Sequence, residues 1–238
     1  MRRYIEGPVR RFFPTLLQSV KVQAIDAAFR QHDLRSFADL GGVWRVHGGY
    51  TIRTLNKFDV DRAWIVDLEF DDETRKQASK FPQLELVGER FTAPAARERV
   101  GEVDAVLVFD VLLHQAAPDW DEVLAMWAPQ TRCFIVANPQ WTGPETIRLL
   151  DLGKEEFLRN VLADPGQHQL HHDVFQNADE PDVFGKRLWD STAIWQWGIT
   201  DEGLDEAMQK LGFRRSFRET LPSDLPQFED RSFVYIKD

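Results

Sequence analysis

Cysteine occurs once in 238 residues, as Cys133, which excludes an intrachain disulfide and the disulfide-stapled secreted folds that depend on one. That thiol sits in the apolar run Cys133-Phe134-Ile135-Val136-Ala137 and reads as a small buried residue rather than a nucleophile. Long hydrophobic runs are missing too. No stretch approaches the roughly 18 apolar residues of a membrane span, and the segment from Met1 to Pro8 lacks the apolar core of a signal peptide. The expectation is a cytoplasmic protein with no membrane partner. Positive charge is also short, with 29 Lys and Arg against 39 Asp and Glu and a net charge of −10 mixed along the chain. A basic face that could grip a phosphate backbone is not indicated, so no nucleic-acid partner is expected.

The length suits one sizeable core, and no internal repeat divides it. Apolar residues at helical spacing from Pro14 to Arg30 (Leu16, Leu17, Val20, Val22, Ile25, Ala28, Phe29) predict an amphipathic helix ahead of the first strand. Strands and helices then alternate. Strands are expected at Phe37–Leu40, Ala63–Val66, Leu84–Val87, Val103–Asp110 and Arg132–Ala137, with helices over Tyr50–Phe58, from Asp71 to Pro82, over Ala93–Val100 and over Trp120–Trp127. Such alternation with short links predicts a parallel sheet covered on both faces. From Asn138 to Ile199 the rhythm breaks into scattered prolines, aromatics and histidines with a helix expected over Glu145–Leu162, which reads as an insertion. A helix capped at Thr200 follows, and then two strands, Phe213–Leu221 and Arg231–Ile236, which should pair antiparallel because no helix separates them.

The segment from Ser36 to Asp67 carries the densest signal. A strand ends in Asp39-Leu40-Gly41-Gly42, a loop holds Gly48 and Gly49, and a second strand ends in Asp67, nineteen residues after Gly48. Glycines let backbone approach a ligand closely, and an acid at that distance suits a ribose. The loop does not match the G-x-G-x-x-G dinucleotide fingerprint, and an ordinary turn is the competing reading.

Five β/α units, glycines after the first strand, an acid ending the second, a polar turn ending the third and a closing hairpin together resemble the class I S-adenosylmethionine-dependent methyltransferases. The resemblance covers most of Ser36 to Asp238. It implies a three-layer αβα Rossmann-like domain, an α/β fold whose seven-stranded, mostly parallel sheet has an antiparallel last strand, at 36–238, with residues 1–35 as an N-terminal helical extension and a cap or insertion at about 138–199. It also implies S-adenosylmethionine as cofactor. Phe37-Ala38-Asp39-Leu40-Gly41 matches the opening of the family's first motif, which implies cofactor binding at Asp39, Gly41 and the adjoining Gly42, and Asp67 matches its ribose-binding acid. Glu89, Arg90 and Phe91 stand at the turn that contacts adenine, with the choice among them open. The run Phe109-Asp110-Val111-Leu112-Leu113-His114 looks like the fourth-strand motif, which places Asp110 or its neighbours near the methionine end of the cofactor and His114 near the substrate pocket. Val43 and Arg45 depart from the pattern, standing where the family carries glycine. Either the loop takes a different path through Gly42, Gly48 and Gly49, or cofactor binding is weakened or lost.

Methyl transfer from a sulfonium is a displacement that depends on alignment, with a general base needed only where the acceptor must lose a proton. His114, His171 and His172 are the histidines placed for that role, with carboxylates such as Asp110 as alternatives; packing or a local hydrogen bond is the alternative for His114. His168-Gln169-Leu170-His171-His172-Asp173 is not a recognised metal-ligand spacing, so no metal is expected. Trp141, Trp189, Trp195 and Trp197 either line an acceptor pocket, anchor the insertion, or serve a homo-oligomer contact. The expected activity is methylation of a small-molecule or sugar-like acceptor, at oxygen. The alternative is a catalytically silent methyltransferase-like domain acting in binding or assembly. A nicotinamide oxidoreductase ranks last because the glycine spacing is wrong.

Overall fold

Short apolar runs bounded by turn residues become the strands of one sheet. The computed structural model describes residues 17–161, 168–182 and 185–237. In chain order the sheet strands are β1 (Ser36–Leu40), β2 (Arg62–Asp67), β3 (Leu84–Gly88), β4 (Val103–Phe109), β5 (Thr131–Trp141), β6 (Phe213–Pro222) and β7 (Phe228–Lys237). The helices are α1 (Ser19–Gln31), α2 (Gly49–Lys57), α3 (Asp72–Ala78), α4 (Pro94–Val100), α5 (Trp120–Trp127), α6 (Lys154–Asn160), α7 (His168–Asp173) and α8 (Asp201–Lys210).

Strand order across the sheet is β3-β2-β1-β4-β5-β7-β6. The first five strands are parallel, and β7 runs antiparallel between β5 and β6. The sheet is the seven-stranded, mostly parallel one that the sequence implies. One face buries Ala24, Ile25 and Ala28 of α1 and Tyr50 and Leu55 of α2 against Phe37, Leu107 and Ile135. The other face buries Ala96 and Val100 of α4, Trp120, Val123 and Trp127 of α5, and Leu204 and Met208 of α8 against Val106, Phe134 and Phe233. Strands covered on both faces must be apolar on both faces, which is why β4 reads as a nearly continuous hydrophobic run.

The chain winds outward from β1 through β2 to β3, then returns to β4 beside β1. This reversal opens the crevice in which open α/β sheets bind ligands. Leu40 stands opposite Val66 and Val108, so Gly41, Asp67 and Phe109 leave the sheet at one level.

Two expectations need correction. The helix expected over Glu145–Leu162 is broken: Ile147–Arg148 pairs with Trp197–Gly198, a 3-10 turn spans Leu149–Leu152, and α6 starts only after Gly153, whose φ is 81°. Leu162 itself lies outside the described residues, as do Pro14 to Leu16 of the first expected helix. Strand β5 continues to Trp141, four residues beyond the expected end, held by β7. The segment between β5 and α8 builds an apolar cluster from Leu149, Leu150, Phe157, Val161, Val174 and Ile194 against Trp141 of β5 and Phe228 of β7.

Candidate active site

The loop after β1 leans onto the end of β2. Gly41 N–H donates to the Val66 carbonyl (2.9 Å), Val43 N–H donates to Asp67 Oδ2 (3.2 Å), and His47 Nδ1 meets Asp71 Oδ2 at 2.7 Å. Gly41 takes φ 72°, and a Cβ there would stand 2.9 Å from Val111 Cγ2. A Cβ on Gly42 would overlap the Asp39 carboxylate. Glycine is therefore required at both positions by close approach, and at Gly41 by the left-handed backbone as well. The loop takes its own path around the two departures: Val43 is tucked in, while Arg45 points outward with its guanidinium 4.2 Å from the Trp44 ring.

Acids gather where the strands end. Asp39 is buried and accepts from Thr51 Oγ1 at 2.7 Å; desolvation, set against that one bond, pushes its carboxyl up to about 6. Asp67 accepts from Leu68 N–H (2.8 Å) as well as from Val43, yet burial still raises its pKa above the usual range. Asp110 follows β4 at φ 54°, a region non-glycine residues seldom occupy. Its carboxylate pairs with the ammonium of Lys21, a buried side chain from α1. Asp230 on β7 titrates above the usual carboxylate range, chiefly because it is buried and next because of the charge on Asp110.

Lys21 is a charged residue at this site that the sequence reading missed. Its helix is pinned at its start, with Gln18 N–H donating to the Tyr50 hydroxyl (3.1 Å) and Ser232 Oγ donating to the Val20 carbonyl (2.8 Å). The ammonium lies 5.8 Å from the Tyr50 ring centroid. A signal existed: Lys21 shares a helical face with Ala24, Ile25 and Ala28, all buried, so a charge stood on the apolar stripe. Thr51, Asp230, Trp44 and Leu68 also went unassigned.

Of the three residues at the β3 turn, Glu89 and Arg90 are exposed, while Phe91 packs against the core and its carbonyl accepts from Trp127 Nε1 at 3.1 Å. His114 lies in the 3-10 turn after β4 and donates from Nδ1 to the Ile194 carbonyl (3.2 Å). Burial lowers its pKa, against the opposing pull of hydrogen bonds to the Ile194 and Thr192 backbone, which favours the neutral ring near pH 7. His171 and His172 lie on α7 rather than at a strand end. His171 is buried with its ring centroid 5.7 Å from that of Phe157, stacked at 29°, and His172 is half-buried. The four later tryptophans are engaged in packing. Trp141 and Trp195 each meet Phe228 edge-on, Trp189 meets Phe175 edge-on, and Trp197 Nε1 donates to the Gln115 carbonyl at 2.8 Å. Burial raises the Cys133 thiol pKa, which keeps it protonated and unreactive.

Arrangement and chemistry suit a cationic, ribose-bearing ligand. Asp67, Asp110 and Asp230 supply an anionic rim, with Asp39 buried behind it and Lys21 as the counter-charge, and Leu68 beside Asp67 is 45% exposed. No described helix is long and apolar enough to cross a membrane.

No family model matches the sequence, and no curated protein matches it. Solved structures do match its shape. The 1,6-didemethyltoxoflavin-N1-methyltransferase of Burkholderia thailandensis, solved with 1,6-didemethyltoxoflavin and S-adenosylhomocysteine, superposes with a TM-score of 0.61 at 14% identity over 93% of this chain and 80% of that one. The N-terminal domain of EvdMO1, solved in the presence of S-adenosylhomocysteine and D-fucose, gives 0.57 at 14% identity over 94% and 85%. Magnesium protoporphyrin IX methyltransferase from Synechocystis PCC 6803, solved with S-adenosylhomocysteine, gives 0.55 at 12% identity over 93% and 83%. The strand order, the antiparallel β7 and these superpositions together give the chain the Rossmann-like fold of the class I S-adenosylmethionine-dependent methyltransferases.

Proposed function

We propose that this protein is an S-adenosylmethionine-dependent methyltransferase acting on a small-molecule acceptor, at oxygen. The observation that carries the reading is Asp67: a carboxylate at the end of β2, tied to the glycine loop through Val43 N–H and flanked by the exposed Leu68. Asp67 would hold the ribose, Gly41 and Gly42 would admit the methionyl part, and the acids of the rim would favour the cofactor's positive charge. When bound, the cofactor supplies an electrophilic methyl group. The chain's contribution is to orient an acceptor beyond β4 and β5 and to remove its proton.

His114 is the base in this reading. With Nδ1–H donating to the Ile194 carbonyl, Nε2 would be the nitrogen that accepts the acceptor's proton, once an acceptor displaces the Thr192 backbone contact. A neutral ring near pH 7 suits proton abstraction from a hydroxyl. The roof comes from the segment between β5 and α8, which is tied to the β4 turn by Gln196 N–H donating to the Leu113 carbonyl at 2.7 Å. The small acceptors in the names of the structural neighbours support the substrate class.

Val43 and the Lys21–Asp110 pair favour a second reading, a silent domain used in assembly. The tryptophans that such an interface would draw on are engaged within the chain, so the catalytic reading stands first. Incubation with methyl-labelled cofactor and a panel of phenolic, sugar and hydroxy-acid acceptors tests it. Transfer is expected, falling at least about a hundredfold in His114→Ala while cofactor binding is kept. Absence of transfer across the panel by a protein that binds no cofactor supports the silent domain.

A further inference from the structure

We propose that Trp44 is a cofactor-binding residue, an aromatic lid in the glycine loop that covers the adenine ring against Leu68. This inference rests on the cofactor reading above and extends it to a residue outside the expected site.

Among the described residues, Trp44 at 61% and Leu68 at 45% are the large hydrophobic side chains left exposed. Each directly follows one partner of the same hydrogen bond, Val43 N–H to Asp67 Oδ2. The two residues therefore adjoin the two ends of the contact that holds the carboxylate proposed to bind the ribose, and in this proposal the base attached to that ribose lies between them. An isolated exposed tryptophan is an ordinary surface feature. Two exposed apolar groups beside one loop–acid contact, at the carboxyl ends of a parallel sheet, are placed as a ligand's walls.

The loop geometry supports the assignment. Three contacts hold the loop against the end of β2 and the start of α3: Gly41 N–H to the Val66 carbonyl, Val43 N–H to Asp67, and His47 to Asp71. Arg45, at φ 62°, lays its guanidinium 4.2 Å from the Trp44 ring centroid, which braces the indole and leaves it rigid enough to stack at little entropic cost. The same residues that break the expected glycine pattern, Val43 through Arg45, thus supply a purine-stacking surface in place of close backbone approach.

Titrating S-adenosylhomocysteine into the wild type, Trp44→Ala and Trp44→Phe, with affinity read by equilibrium dialysis and stacking read by indole fluorescence, tests this. The wild type is expected to bind with quenched emission. Trp44→Ala should bind about tenfold or more weakly, as loss of one base–aromatic stack predicts, and Trp44→Phe should recover most of the affinity without the quench. Unchanged thermal melting of both variants excludes misfolding, since the side chain is mostly exposed. Binding by Trp44→Ala within about twofold of wild type overturns the lid while leaving the cofactor reading intact. No binding by the wild type itself overturns that reading, and the lid with it.

Discussion

Asp39 shows what the site costs at the scale of one residue. Its carboxyl is buried, partnered by the Thr51 hydroxyl, and titrates at about 6. The folded chain thus holds this proton more tightly than the unfolded chain, so the group contributes a stability that declines as pH rises from about 4 through 6. Asparagine has the same shape and can still accept from Thr51. Asp39→Asn should therefore gain about 1–3 kcal/mol over the wild type at pH 7.5 and little or nothing at pH 4, measured by urea unfolding; a gain independent of pH would refute this. The places of Asp39, Gly41, Asp67 and Asp110 at the strand ends were legible because each is bound to a strand end by local sequence. Lys21 and Thr51 were not. Lys21 meets Asp110 across 89 positions, and only the packing of α1 brings them together.

Helices with capping chemistry were read most accurately at the scale of elements. Trp120–Trp127 opens on a capping box in which Asp119 and Glu122 each satisfy the other's backbone, and its bounds are those expected. Thr200 caps α8 by accepting from Gly203 N–H at 3.1 Å and is itself steadied by Thr146 Oγ1, 3.0 Å from its backbone nitrogen. Thr200→Ala should lower stability by about 1–2 kcal/mol while Thr200→Ser keeps most of it, checked by thermal melting. The misread elements have tertiary causes. Proline within a run argues against a strand. At Pro139, however, β4 has already ended at Phe109, so no β4 carbonyl needs the missing N–H; β7 pairs the other edge as far as Trp141, whose own N–H donates to the Ile199 carbonyl at 2.8 Å. The stretch 145–162 has helix-like apolar spacing, yet Gly153 and the pairing of Ile147–Arg148 with Trp197–Gly198 divide it. That partner lies about fifty positions away, beyond any local pattern.

For the whole molecule, alternation of strands and helices was enough to anticipate the sheet, because a parallel strand pair requires a crossover and the crossover here is a helix. The arrangement around the crevice was less accessible. Helix α1 crosses the sheet beside β5 and β7 and delivers Lys21 to the far end of β4, while the segment between β5 and α8 closes over the β4 turn through Gln196, Trp197 and His114. The central claim is that this crevice, with Asp67 at its ribose end, is a cofactor site. Isothermal calorimetry of S-adenosylhomocysteine with the wild type and Asp67→Ala tests it most directly. The account predicts saturable one-site binding by the wild type and affinity at least about tenfold weaker in Asp67→Ala, in keeping with loss of a charged hydrogen-bond acceptor. No heat of binding by the intact protein at millimolar ligand, or equal affinity in the two proteins, would contradict it.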